Sequence, residues 1–328
     1  MKRKLRGVVS RVGLLLLVVW TVVSLVTLLI ELVPGDPAIA VLGEQATPEQ
    51  LAQFRSKHGL DRPPFFFSFP RQANGSRHFV WYGLENRYDD YWVAILHGDL
   101  GTSFRTDRPV IELITERYPA TIELAIVAML ISVCIAIPSG VIAGKNRGTL
   151  TDNALSVIAL VGISLPSFVI GPMLVYLFAV KLGWLSPSGR FDWSDIILPA
   201  FTLGAALSAI LTRMVRSSVI EEMGESYVRT ARAKGLSEKD VVIRHALRGG
   251  LMPVVSFTGP ALAFLLTGTV VVERIFALPG LGNYFIQASL NRDEPLILGI
   301  VAFIAITMLL MNLLVDIAYA YLDPRIRY

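Results

Sequence analysis

LAIVAMLISVCIAIPSGVIAG, from Leu124 to Gly144, contains no charged residue. A helix crossing the hydrocarbon of a bilayer needs roughly 20 apolar residues, within a range of about 17–25. Lipid offers no partner to a backbone N–H or C=O group, so such a run must be helical. Five more uncharged runs follow the same rule: Val12–Ile30, Asn153–Val180, Ile196–Thr212, Gly249–Val272 and Pro295–Val315. The sequence therefore predicts an all-α membrane protein with six transmembrane helices. Composition agrees, since 53% of the 328 residues are hydrophobic and only 17% are charged. A soluble domain carries about a quarter charged residues, and a disordered chain has far less apolar content.

The first run could be a secretory signal, but it exceeds an apolar core of roughly 7–15 residues and lacks a small-residue cleavage site. It reads as a retained helix. Lys2, Arg3, Lys4, Arg6 and Arg11 precede it, and Lys145, Arg147 and the basic residues between Arg213 and Arg248 fall on the same side. Lys and Arg collect on the cytoplasmic side, so both termini are expected inside, in a multi-pass protein of the cytoplasmic membrane. The net charge of +4 is then a matter of topology and not a sign of nucleic-acid binding. The expected divisions are 1–33 (tail and first helix), 34–119 (an extracytoplasmic segment), 120–322 (helices two to six) and 323–328 (a cytoplasmic tail). Within 34–119, a short polar helix is expected to start near Thr47-Pro48-Glu49. An aromatic, loop-like stretch follows from Pro63 to Tyr91, with a chance glycosylation sequon at Asn74. Pro138, Pro166 and Pro260, with Pro172 and Pro199, fall inside the spans. They suit either helix packing and kinks or a lining that flexes around a pathway.

Chemistry-bearing patterns are sparse. Cys134 is the single cysteine, and His58, His78, His97 and His245 lack metal-ligand spacing. Gly140 to Asn146 falls one residue short of a phosphate loop. No charged residue lies near the centre of a span, where ion-driven carriers hold their coupling groups. Glu273 and Asp316 are expected at the interfaces. No catalytic residues are expected.

The informative soluble stretch lies between the fourth and fifth runs, at 213–252. It reads Tyr227-Val-Arg-Thr-Ala-Arg-Ala-Lys-Gly235-Leu236-Ser237-Glu238-Lys239-Asp240. Ile220, Met223, Tyr227 and Ala231 form an apolar stripe at helical spacing. Gly235 supplies a left-handed cap, and Ser237 with Asp240 forms a capping box for a second helix. That helix carries Val242, Ile243, Ala246 and Leu247 on one face and ends near Gly249. A DNA-reading unit does not suit a loop pinned to a bilayer at both ends. A solvated basic loop explains the charges but not the caps. A docking surface for a cytoplasmic partner explains both.

At these residues the chain resembles the membrane subunits of binding-protein-dependent ABC importers, within them the first permease of oligopeptide and dipeptide transporters. The likeness rests on Tyr227 to Leu236, then Arg244-His245-Ala-Leu and Leu251-Met-Pro-Val-Val. It extends to Leu32-Val-Pro-Gly-Asp-Pro, Leu96-His-Gly-Asp-Leu-Gly, Ser103-Phe, Arg108-Pro-Val and Ile163-Ser-Leu-Pro-Ser-Phe. Glu273-Arg-Ile-Phe, Leu278-Pro-Gly-Leu-Gly and Leu322-Asp-Pro-Arg-Ile-Arg-Tyr complete it. Where the wider superfamily's EAA loop opens Glu-Ala-Ala, this chain has Arg229, Thr230 and Ala231. The stretch from about Pro64 to Asp89 is longer than is usual in the family.

The resemblance implies a type I importer fold and a heterodimer with a second homologous permease. It also implies two cytoplasmic ATPases, or one fused ATPase, and an extracytoplasmic solute-binding protein. ATP and Mg would be bound by the ATPases, with no cofactor in this chain. Tyr227, Arg229, Thr230, Ala231, Arg232, Ala233, Lys234, Gly235, Leu236, Arg244 and His245 would form the ATPase-coupling surface. Arg229, Arg232 and Lys234 would meet acceptors on the ATPase, and the loop would act as a lever that switches the pathway. The cargo expected first is a di- or oligopeptide; nickel, glutathione or another small solute is the alternative. A self-contained secondary carrier is the rival from another class.

Overall fold

The structure, a computed structural model, describes residues 2–33, 35–68, 79–187 and 193–322. Asn74, the tail 323–328 and the side chain of Asp316 lie outside the described residues. The chain divides into two compact units, Met1–Arg117 with Tyr284–Leu309, and Tyr118–Asn283 with the chain from Leu310.

The first unit starts with α1 (Lys2–Leu32). Asp36 caps α2 (Pro37–Leu42) by accepting from the Ala38 N–H. Thr47 and Gln50 close a full capping box on α3 (Pro48–Lys57), with Pro48 in its first turn. The polar helix expected from Thr47 is therefore present, and its start is set by capping. The expected aromatic loop is more ordered than the sequence suggested. β1 (Phe67–Ser68) and β2 (Val80–Trp81) pair antiparallel, Phe67 opposite Trp81. Asn86 then caps α4 (Arg87–Leu96) through the Asp89 N–H, so a helix begins inside the stretch read as loop.

Long-range polar contacts tie this unit together. Asp293 accepts from the Ser103 hydroxyl at 2.5 Å and from the Phe104 N–H at 3.0 Å. Arg87 bonds Glu31 at 3.2 Å and Glu294 at 2.9 Å. A small core joins Val19 and Val23 of α1 to Ala302, with Tyr91 and Trp92 of α4 against it.

α5 (Val110–Lys145) enters the second unit at Tyr118. It is followed by α6 (Leu150–Ser164), α7 (Ser167–Leu174), a π-helical turn (Val175–Lys181) and α8 (Ile197–Met223). After residues 224–251 come α12 (Met252–Ile275), α13 (Leu281–Leu290) and α14 (Glu294–Leu322). The run Asn153–Val180 is not one straight helix, because α6 and α7 meet at 106°. Pro166 stands at the break with extended backbone, since a proline cannot donate the N–H that would continue α6. Pro138 and Pro260 lie within α5 and α12.

The core of this unit collects Leu124, Ala128, Leu211, Val215, Leu265 and Phe276. Gly140 and Gly144, the near-match to a phosphate loop, are a packing motif. A Cβ on either would stand within about 3.0 Å of Val215 or Val219 of α8, the close approach that small residues permit between membrane helices.

Among the described residues, four helices are long and apolar enough to cross a membrane: Val110–Lys145, Ser194–Met223, Met252–Ile275 and Glu294–Leu314. The bent pair α6–α7 passes the same test jointly, and Leu16–Leu32 is a shorter apolar stretch of α1. α8 runs past the expected end at Thr212 and carries Arg216 within it. The Arg216 guanidinium forks onto Asp152, Nε to Oδ1 at 2.5 Å and Nη2 to Oδ2 at 2.8 Å.

Candidate functional site

The segment after α8 folds as helix, turn, helix. α8 ends at Met223, and α9 spans Ser226–Ala233. Arg229 donates to the Gly224 carbonyl at 3.0 Å and so covers an acceptor left open at the end of α8. α9 ends in a Schellman motif: the Gly235 N–H bonds Arg232 O at 2.9 Å and the Leu236 N–H bonds Ala231 O at 3.4 Å. Gly235 has φ +79° with open space around its Cβ position. The glycine is thus required by backbone conformation and not by crowding.

Ser237 caps the next helix by accepting from the Asp240 N–H at 3.2 Å. The expected capping box is only half formed. The Asp240 carboxylate takes the Ser237 hydroxyl at 2.6 Å and Arg244 at 3.2 Å, because aspartate is a methylene shorter than the glutamate that reaches back to the cap. α10 (Glu238–Asp240), a π-helical turn (Val241–Ala246) and α11 (Leu247–Gly250) follow.

Both expected apolar faces are shifted. Helix α8 breaks at Gly224, so Tyr227 leaves the stripe and is 42% exposed, while Val228 and Ala231 are buried. In the second helix the π turn replaces i→i+4 bonds by i→i+5. Val241, Val242 and Ala246 turn inward and Ile243 is 50% exposed. Val228, Ala231, Val241 and Ala246 form a separate small core, with Met223 against it.

The face left outside is mixed. Tyr227, Leu236 and Ile243 present apolar surface, beside exposed Arg229, Thr230, Arg232, Ala233, Lys234 and Arg244. His245 is half-buried. Arg232 is engaged within the turn, donating from Nε to Glu238 at 2.8 Å, so the turn holds it in place as well as presenting it.

Sequence reasoning missed Glu222. Its carboxylate accepts from the Tyr227 hydroxyl, and a Cβ on Gly249 would stand within 3.0 Å of it. Desolvation and this hydrogen bond push the Tyr227 phenol up to about 12, so it stays a donor. Glu222 thereby joins the start of α9 to the end of α11, and no local pattern announces a contact of that kind.

Two buried carboxylates were also missed. Asp152, at the α6 cap, receives the Gly148 N–H at 2.9 Å besides Arg216. Its signal was legible as Thr149-x-x-Asp152, a helix-start pattern. Glu273, expected at an interface, is wholly buried. It accepts from the Thr121 hydroxyl at 2.7 Å and the Asn283 N–H at 3.0 Å, and the bare Gly280 backbone makes room for its carboxylate. The Glu273-Arg-Ile-Phe and Leu278-Pro-Gly-Leu-Gly motifs are thus two halves of one buried contact.

The family described as "Binding-protein-dependent transport system inner membrane component" matches residues 136–328, and its N-terminal companion matches residues 4–125. The chain belongs to this family: it is a multi-pass permease subunit of a binding-protein-dependent ABC importer. As such it is a transport component that works with an ATPase and a binding protein.

Relatives extend over the full length. The chain is 37% identical over 324 residues to the glutathione transport system permease protein GsiC of Escherichia coli O6:H1, covering 99% of both chains. It is 38% identical over 307 residues to the Salmonella choleraesuis protein of the same name, covering 94% of each. Two solved structures share the fold. One is an amino acid ABC transporter with histidines (TM-score 0.51, 16% identity, 64% of this chain and 94% of that one). The other is the MetNI methionine ABC transporter in an inward-facing form (TM-score 0.53, 18% identity, 65% and 97%).

Proposed function

We propose that this permease forms half of a translocation pathway with a second homologous permease, and that its cargo is glutathione. The full-length identity to glutathione permeases carries the cargo reading. It favours the alternative set beside di- and oligopeptides in the sequence reading over that reading's first choice. The pathway is crossed by six spans with both termini inside, and α1 supplies the first.

The segment α9 to α11 is the docking face for the ATPase. Its caps are satisfied internally, so it holds its shape without a partner, while Tyr227, Leu236 and Ile243 remain outside for an apolar cleft. Arg229, Lys234 and Arg244 surround them with positive charge. Closure of the ATPase pair on ATP moves this face, and α8, joined to it by the short break at Gly224, carries the movement into the membrane.

The test is uptake into proteoliposomes holding the permease pair, the ATPases and the binding protein. Labelled glutathione should accumulate with ATP inside, and an α-linked Glu-Cys-Gly tripeptide and nickel should compete poorly. Preferred uptake of nickel or of α-linked peptides would overturn the cargo reading. Uptake without ATP would restore the secondary carrier.

A further inference from the structure

The first unit carries an open cleft of about 360 Å³, within the roughly 300–1,000 Å³ of small-molecule sites. Its polar lining includes Glu31, Lys57, His58, Arg87, Tyr91 and Glu294, with Asp90 beside them. Arg87 links two of its carboxylates. Nη1 bonds Glu294 Oε2 at 2.9 Å, and Nη2 bonds Glu31 Oε2 at 3.2 Å. The Arg87 Nε and the Tyr91 hydroxyl are buried with no hydrogen-bond partner among the described residues. A buried donor left unsatisfied costs about 1–3 kcal/mol, and the coupling function uses neither group. Burial drives the Tyr91 phenol far above its ordinary value, so it remains a donor at any physiological pH.

We infer that this cleft is a zwitterion site, taking a group with an ammonium and an anionic oxygen close together. The anionic oxygen accepts from the Arg87 Nε and the Tyr91 hydroxyl. The ammonium donates to the carboxylate oxygens of Glu31 and Glu294 that Arg87 leaves open. Opposite charges stand within hydrogen-bond distance of each other in the lining, so a ligand of one sign gains on one side and is repelled on the other. A bare anion meets three carboxylates, and a bare cation meets Arg87 and Lys57. A ligand of both signs satisfies all of them.

Two sources have this chemistry. One is an ethanolamine phospholipid headgroup. Thr27 and Ile30 near the end of α1, and Leu298 near the start of α14, also line the cleft, which sets it beside membrane-helix ends. The other is a solute with an α-ammonium and an α-carboxylate on one carbon. Glutathione has this arrangement at its γ-linked glutamate, and an α-linked isomer has an amide there instead. The inference does not depend on which solute is transported.

The experiment is hydrogen–deuterium exchange of α4 in the assembled importer, in nanodiscs of phosphatidylglycerol with and without phosphatidylethanolamine or phosphatidylcholine. Glutathione and its α-linked isomer are titrated into the discs of phosphatidylglycerol alone. Protection by phosphatidylethanolamine but not phosphatidylcholine, whose ammonium has no N–H, identifies the lipid source. Protection by glutathione but not its isomer identifies the solute source. In either case Tyr91→Phe should weaken the protecting ligand roughly fivefold, the loss of one hydrogen bond. Arg87→Lys should weaken it further, and Tyr91→Phe carries the test alone if that variant fails to fold. Equal protection by acetate, equal affinity in Tyr91→Phe and wild type, or no protection by any probe would overturn the site.

Discussion

The α9–α11 segment and the first unit of this permease are built on opposite principles. From α9 to α11, most polar contacts join residues within six positions of each other: Gly235 to Arg232, Ser237 to Asp240, Arg232 to Glu238. In the first unit the defining contacts are long-range. Ser103 reaches Asp293 across 190 positions, and Arg87 reaches Glu294 across 207. A segment written in local code forms early and tolerates change around it. A unit stitched from distant parts depends on every stitch, because each closes a long loop.

The sharpest test of that contrast is a distant contact. Arg216→Ala leaves Asp152, whose side chain is 2% exposed, with no counter-charge. Removing the counter-charge of such a carboxylate is destabilising. The purified permease should show a large fall in melting temperature or fail to accumulate in the membrane. A melting temperature within error of wild type would mean that the fork is dispensable. Gly280→Ala comes next. Its Cβ would push into the Glu273 carboxylate, an overpacking of about 1–3 kcal/mol, read by the same thermal melt.

Gly235→Ala should be milder in stability and stronger in function. Nothing stands within 4 Å of its Cβ position, so the penalty is the left-handed backbone alone, about 1 kcal/mol. Gly235→Val adds a branched side chain to the docking face. It should leave the spans inserted while reducing co-purification of the ATPases and substrate-stimulated hydrolysis. Arg232→Glu should weaken the same coupling, more so at low salt. Its stability effect should stay below about 1 kcal/mol, because its pair with Glu238 is solvent-exposed. If both variants couple normally, the segment is a linker and the lever lies elsewhere.

What the sequence could and could not reveal follows the same division. Apolar runs, the start of α3 near Thr47 and the Gly235 turn were legible because their signals span a few residues. Pro166 was read as either a kink or part of a pathway lining, and the size of its bend depends on how α6 and α7 pack. The faces of the coupling helices were misread by a residue or two, because the break at Gly224 and the π turn at Val241–Ala246 both reset the helical period. Glu222, Arg216 and Glu273 acquire their roles from partners on other elements. Only Thr149-x-x-Asp152 left a local trace.

The smallest expected effect tests whether the first unit titrates as its packing implies. His58 sits between Phe54 and Phe104, with ring centroids at 4.4 and 4.8 Å. Desolvation by these neighbours, followed by the positive charge of Lys57, lowers its pKa below the ordinary 6.5, against weaker opposing pulls from Asp107 and Asp293. The folded chain therefore holds His58 neutral where the unfolded chain would protonate it. Between the two pKa values the unfolded state binds more protons, so stability rises with pH. The contribution is complete above about 6.5, declines as pH falls through that value, and levels off below the folded pKa. Other groups also titrate, so the measurement is a difference: the fall in melting temperature from pH 7.5 to 5.5, wild type against His58→Phe. The variant keeps the ring stack and removes the titration, so its fall should be shallower by a small margin. An equal or steeper fall in the variant would mean that His58 is solvated in the folded protein, and that the aromatic wall of α3 is looser than its ring distances indicate.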